Sequence, residues 1–137
     1  ILKMLKRIKN KDVIITNRFY YKNSISSWPV IRRIITYSRH YLINYLLSIK
    51  FDTSGAYRIY KLKKIKIKDL LSAKHNGYSF FWESIYVLLK KNYKIDEIPI
   101  RMQQRTYGSS KINFYEIVSA ILYLFYIYLK KVFNLKF

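Results

Sequence analysis

Three short segments set an arginine among small or hydroxyl residues: Thr16-Asn17-Arg18-Phe19, Trp28-Pro29-Val30-Ile31-Arg32-Arg33 and Arg105-Thr106-Tyr107-Gly108-Ser109-Ser110-Lys111. A guanidinium is a planar fork of N–H donors that matches phosphate oxygens. In the third segment a glycine, hydroxyls and a lysine add the backbone and point-charge contacts that cradle phosphate. An arginine after a strand commonly serves a surface ion pair, which contributes little to stability. Here, however, 27 Lys and Arg face only 7 Asp and Glu, so acids to pair with are scarce. The chemistry open to these residues is the holding of phosphorylated molecules.

The net charge of +20 over 137 residues attracts polyanions, namely nucleic acid, an anionic membrane or phosphorylated substrates. Much of the lysine is a compositional bias shared with Ile, Tyr and Asn, and solvated surface explains a large part of it. The stretch of residues 61–68 alternates Lys with apolar residues, the pattern of an exposed edge segment or a short amphipathic element. No groove-reading motif or zinc-finger spacing accompanies it, so a nucleic-acid partner is not expected. The absence of cysteine excludes disulfide scaffolds and Cys-based zinc sites. His40 and His75 are too far apart in sequence to suggest a His-rich metal site and read as packing or surface residues. At 51% hydrophobic and 18% aromatic residues, the chain is rich enough to fold around one core. It opens on Ile1 without a signal-peptide pattern and reads as a portion of a longer protein.

The elements that must position the arginines follow from periodicity. Residues 1–10 read as an amphipathic helix and 12–16 as a buried β-branched strand, which empties into a polar loop over 17–27. Pro29 suits a helix start with Ser27 as its cap. That helix runs to about residue 49, with Ile31, Ile34, Ile35, Tyr41, Leu42, Tyr45 and Leu46 as its apolar stripe. Residues 51–55 form a turn, 56–60 a strand, 67–73 a short helix and 75–77 another turn. A helix over 78–91, a strand over 95–102 limited to an edge or end by Pro99, a polar loop over 105–111 and a helix from Asn113 complete the chain. The order implies an α/β layer with helices on a sheet, whose ligands sit beyond the strand ends, near Arg18, Asp52 and Arg105.

Taken together, Thr16-Asn17-Arg18-Phe19, Trp28-Pro29-x-x-Arg32, the segment from Thr53 through Arg58 to Tyr60, Asn76-Gly77-Tyr78-Ser79-Phe80 with Glu83, Glu97-Ile98-Pro99-Ile100 and Arg105-x-x-Gly108-x-Ser110-Lys111 resemble, in order, the C-terminal part of the dolichol-phosphate mannosyltransferase-like enzymes of glycosyltransferase family 2. The resemblance covers roughly residues 12–115. It implies the C-terminal portion of a GT-A-type α/β fold: an acceptor-side part over residues 1–111, then an apolar interfacial helix and basic tail over 112–137. It implies transfer of a sugar, mannose or another hexose, from a nucleotide-sugar to a polyprenyl phosphate at the cytoplasmic face of a membrane. By the same resemblance Arg18 and Arg32 hold the lipid phosphate with Thr36 assisting. Arg105 meets the donor diphosphate beside Ser110 and Lys111, and Asp52, Arg58 and Glu83 belong to the substrate-binding set. Gln104 departs from the pattern, standing where an Asp commonly precedes the loop arginine. The family's nucleotide-binding half, with its Asp-x-Asp motif for Mg or Mn, would lie before Ile1, so this chain by itself is expected to be inactive.

Residue chemistry leaves several alternatives open. Asp52-Thr53-Ser54-Gly55 is also a good turn by side-chain to backbone bonding. Glu83, among Phe80, Phe81 and Trp82, needs a partner if it faces the core, for which a loop arginine would serve. Trp28 suits either a lipid interface or packing at a helix start. Residues 117–129, about 20 Å long as a helix, are too short for the roughly 30 Å hydrocarbon core. With Tyr123, Tyr126, Tyr128 and flanking lysines they fit an in-plane interfacial helix, a buried core helix or part of a span. A non-catalytic, basic, membrane-peripheral binding module on the same scaffold is the alternative to an enzyme.

Overall fold

The computed structural model describes residues 1–75, 77–102 and 114–135. Helix α1 (Leu2–Arg7) and a 3₁₀ turn (Ile8–Asn10) lead into strand β1 (Val13–Asn17). Helix α2 (Val30–Leu47), strand β2 (Arg58–Tyr60), helices α3 (Ile67–Leu70) and α4 (Ser79–Lys90), strand β3 (Ile95–Pro99) and helix α5 (Phe114–Val132) follow. The sheet order is β2-β1-β3, with β1 antiparallel to β2 and parallel to β3. The mixed α/β layer expected from the order of elements is present. Val13, Ile14, Ile15 and Thr16 are all buried, because β1 is central and covered on both faces.

β1 and β3 run in register from Val13 opposite Ile95 to Asn17 opposite Pro99, so both strands end together. Pro99 takes the last position of an edge strand, where its missing N–H costs no ladder bond. The core joins Val13, Ile15, Ile43, Leu46, Trp82, Ile85, Leu88, Leu124 and Ile127. Helix α4 is buried over Trp82–Leu88, almost all round, because it lies between the sheet and its neighbours rather than at the surface. The Lys-rich stretch after β2 is not an edge strand: Lys61 closes a turn to Lys64 and Ile65, and Ile65 drops into the core.

Helix α2 corrects the expected stripe. Ile31 is 74% exposed and Tyr45 84%, and Ile34, Ile35 and Tyr41 are exposed with them. The buried residues are Thr36, Ile43, Leu46 and Leu47. Their spacing continues backwards through Arg39 to Arg32, an i, i+3, i+4 series that defines one helix face. Leu46 and Leu42 of the expected stripe do meet the core, but the inward face is polar where it passes the end of β1, so over the first turns hydrophobicity alone selected the wrong side. Ser27 is not the cap; Pro29 occupies the N-cap position and no side chain bonds the first turn.

Helix α5 is tied down at several points along its length. Leu124 and Ile127 enter the core, and Lys131 Nζ donates to the Leu46 carbonyl (2.9 Å) and Ser48 Oγ (2.7 Å) at the C-terminus of α2. A cation there satisfies carbonyls left over at the helix end. The opposite face of α5, including Tyr115, Leu122, Phe125, Tyr126 and Leu129, is exposed. No described helix is long and apolar enough to cross a membrane.

Candidate functional site

Arg18 is the first residue after β1, at the strand end where loops of an α/β sheet converge. One oxygen of Asp52, Oδ2, accepts from both the Arg18 backbone N–H (3.0 Å) and Nε (2.8 Å). Asp52 is 1% exposed. Its other oxygen, Oδ1, accepts from the Ser54 backbone N–H (3.2 Å) and hydroxyl (2.9 Å), so the acid closes its own turn and aims Arg18 at the same time. Gly55 lies against this pair: a Cβ added there would sit 3.5 Å from the Arg18 guanidinium and from Thr16.

A second carboxylate fixes the frame. Glu97 on β3 accepts from the Asp52 backbone N–H (2.5 Å) and from Asn17 Nδ2 (2.8 Å), while Asn17 Oδ1 accepts from the Phe19 N–H (2.7 Å). Burial raises the Glu97 carboxyl above its ordinary value, and these two hydrogen bonds oppose the shift.

Across from Arg18, the inward face of α2 brings up Arg32, Thr36 and Arg39. The Arg32 guanidinium stacks 4.0 Å over the Trp28 ring, and the Arg18 guanidinium lies 6.0 Å from the same ring. Trp28 is thus buried beneath two cations and packs at the helix start. Thr36 is buried one turn beyond Arg32. Arg39, one turn further, has a buried Nε with no hydrogen-bond partner among the described residues. Desolvation lowers the Arg39 pKa, the nearby Arg18 lowers it further, and Asp52 opposes both. His40 stacks on Phe19 with ring centroids 4.0 Å apart, and burial depresses its pKa.

The structure therefore gathers Arg18, Arg32, Thr36 and Asp52 from the sequence-stated set. Arg105, Ser110, Lys111 and Gln104 lie outside the described residues. Two members of the set have other work. Arg58 donates to the carbonyls of Gly55 (2.7 Å), Thr53 (2.6 Å) and Phe81 (2.6 Å), to Ser84 Oγ (3.0 Å) and to Tyr60 Oη (3.3 Å). Its five N–H groups are occupied by the protein, which leaves none for a substrate. Among the described residues Glu83 has no arginine partner. It is 1% exposed and accepts from the Lys74 and His75 backbone N–H groups (3.0 and 2.9 Å) and from the Tyr123 hydroxyl (2.6 Å), binding a loop to α5. The Tyr123 pKa is raised by burial and by this carboxylate.

Reading the sequence missed Arg39, Glu97 and His40 as neighbours of the site. The signal for Arg39 was its distance of two helical turns from Arg32, with Thr36 between them. His40 follows it directly, and only the fold brings Phe19 under its ring.

What the fold and these side chains define is an α/β layer with a cluster of arginines at the end of its central strand. No family model matches the chain and no solved structure matches it. The chain is similar to the undecaprenyl-phosphate mannosyltransferase of Micrococcus luteus, 23% identical over 112 residues, which are 81% of this chain and 46% of that protein. It is also similar to the polyprenol monophosphomannose synthase of Mycolicibacterium smegmatis, 23% identical over 103 residues, 74% of this chain and 39% of that protein. The chain spans less than half the length of these curated relatives.

Proposed function

We propose that this chain forms the acceptor-phosphate side of a glycosyltransferase that moves a sugar from a nucleotide-sugar to a polyprenyl phosphate. The observation that carries the reading is the convergence of Arg18 and Arg32 over Trp28 at the end of β1, with Arg18 aimed by a buried carboxylate. Both similar proteins bear the names of mannosyl-phosphate-lipid enzymes, which makes mannose the first sugar to try. The parallel β1–β3 pair, with Arg18 just beyond the end of β1, is compatible with part of a GT-A-type domain.

The chemistry needs little beyond cations. A phosphate monoester is largely dianionic at neutral pH, so its oxygen attacks the anomeric carbon of the sugar without a strong general base. Guanidiniums offset the repulsion between two anionic reactants and the charge that grows on the departing nucleoside diphosphate. Arg18, Arg32 and Thr36 hold the acceptor; Arg105, Ser110 and Lys111 serve the donor diphosphate. The described residues do not fit Mg or Mn: no three potential ligands stand together among them, and both Asp52 oxygens are engaged by Arg18 and Ser54. The metal of the whole enzyme is accordingly assigned to residues other than these, and no step here runs through it.

A membrane setting is supported by the exposed apolar faces of α2 and α5 and by the net charge of +20. We place the protein at the cytoplasmic face of the bilayer, with α5 lying in the interface by its Leu122 and Leu129 side.

The test is sugar transfer by the whole protein containing this chain, read as labelled sugar extracted with undecaprenyl phosphate. Arg32→Gln and Arg105→Gln are expected to lower turnover at least about a hundredfold with an unchanged melting temperature. Wild-type turnover in both variants, or no transfer from any nucleotide-sugar by the unmodified protein, overturns the reading.

A further inference from the structure

Helix α2 carries a second cationic feature, on a different side from Arg32, Thr36 and Arg39. A hollow of about 250 Å³ opens between the loop after β1 and the first turns of α2. Lys22, Asn23 and Ile25 line it from the loop, and Val30, Arg33 and Ile34 from the helix. At about 100° per residue, these helix positions lie roughly 145° around the axis from the Arg32–Thr36–Arg39 series. The hollow is therefore separate from the arginines assigned to the acceptor phosphate. Its loop wall is fixed by the fold: Ile25 is buried, its carbonyl accepts from the Trp28 N–H (3.1 Å), and Ser24 Oγ donates to the Ile100 carbonyl (2.9 Å). Lys22 and Arg33 make no ion pair among the described residues, which include all seven acids of the chain. Beside them Val30 and Ile34 are each 59% exposed.

We infer that this hollow docks the phosphate of an anionic glycerophospholipid at the bilayer surface, with Lys22 and Arg33 on the phosphate and Val30 and Ile34 against the acyl chains. This rests on the membrane setting above and not on sugar transfer. Cations beside exposed apolar side chains complement an amphipathic anion, whereas a free phosphate would leave Val30 and Ile34 in water. Arg33 supplies a fork for two phosphate oxygens and Lys22 a mobile point charge. No acid lines the hollow, so a zwitterionic head group would bring its own ammonium against two cations. Sites that enclose a drug-sized ligand whole measure roughly 300–1,000 Å³. This one is smaller, so it takes a head group and leaves the chains outside, along the exposed side of α2.

The experiment is co-sedimentation of the full chain with phosphatidylcholine vesicles, with and without about one-third phosphatidylglycerol, at about 0.1 M salt. The wild type is expected to bind the phosphatidylglycerol vesicles at least about tenfold more tightly than phosphatidylcholine alone. The pair Lys22→Gln and Arg33→Gln is expected to lose most of that preference. A control pair, Lys63→Gln and Lys68→Gln, removes the same charge from exposed lysines after β2 and is expected to keep it within about threefold. The pair Val30→Gln and Ile34→Gln is expected to weaken binding to both vesicles alike. Gln is a good helix former, and unchanged circular dichroism checks the fold. Equal losses in the hollow and control pairs assign the attraction to diffuse charge and overturn the inference. So does equal binding of the wild type to both vesicles, or wild-type binding by the Val30 and Ile34 pair; in all three cases the membrane setting stands. Failure of the wild type to bind either vesicle overturns the inference and the membrane setting together.

Discussion

Arg18 and Asp52 are 34 residues apart in sequence, yet a single carboxylate oxygen of Asp52 holds both the backbone and the side chain of Arg18. The pair is buried at 10% and 0% side-chain exposure, so each member is the other's chief counter-charge. Such pairs gain little over apolar packing but are expensive to break by removing one side. Asp52→Ala is therefore expected to destabilise the fold by about 3–5 kcal/mol, read as a fall in the urea midpoint at constant slope. Asp52→Asn, which keeps one of the two acceptor oxygens but neither the charge nor the second acceptor, should cost less. Equal stability of Asp52→Ala and wild type would show that the pair is not the anchor of this loop.

Arg58 is a structural fork. Substitution by Lys preserves the charge but supplies three donors on one atom where five directed ones are used. We expect Arg58→Lys to cost about 2–4 kcal/mol, because the carbonyls of Thr53, Gly55 and Phe81 lose donors in a buried setting. Thermal denaturation checks this, and a melting temperature within a degree or so of wild type would contradict it.

Glu83 ties the segment at Lys74 and His75 to α5 through Tyr123. Tyr123→Phe removes one charge-assisted hydrogen bond and is expected to cost about 1.5–3 kcal/mol while leaving the Lys74 and His75 amides protected. Glu83→Ala should expose both amides as well. Hydrogen exchange resolves the two cases; protected amides in Glu83→Ala would remove Glu83 as their acceptor.

The pH dependence follows from His40, whose folded pKa lies below its unfolded value of 6.5 because burial penalises the imidazolium. The unfolded chain then takes up the proton first as pH falls, so stability present above pH 6.5 is lost downward through the folded pKa. Denaturant midpoints measured between about pH 7.5 and 5 should decline in the wild type and decline less in His40→Gln. Glu97 acts with the opposite sign at lower pH: its raised folded pKa gives stability that is present in acid and lost as pH climbs through that value. A His40→Gln profile parallel to wild type would assign the decline to other groups.

Much of the frame was legible in the sequence. The β-branched residues of β1 announced a strand buried on both faces, and Pro99 marked the end of an edge strand, because backbone sterics and missing donors act locally. The Arg18 and Trp28–Arg32 segments identified themselves by residue type, as guanidiniums short of acids to pair with. Tertiary structure decided which side of α2 faces inward: hydrophobicity favoured Ile31 and Tyr45, while the inner face beside the strand end is Arg32, Thr36 and Arg39. Charge alone could not separate Arg58 from Arg18, since both follow short polar turns or strands. Only the fold sets five acceptors around one and leaves the other braced by a single carboxylate at the end of β1. The same holds for Arg39, whose Nε is buried without a partner among the described residues only once α2 has closed over the end of β1.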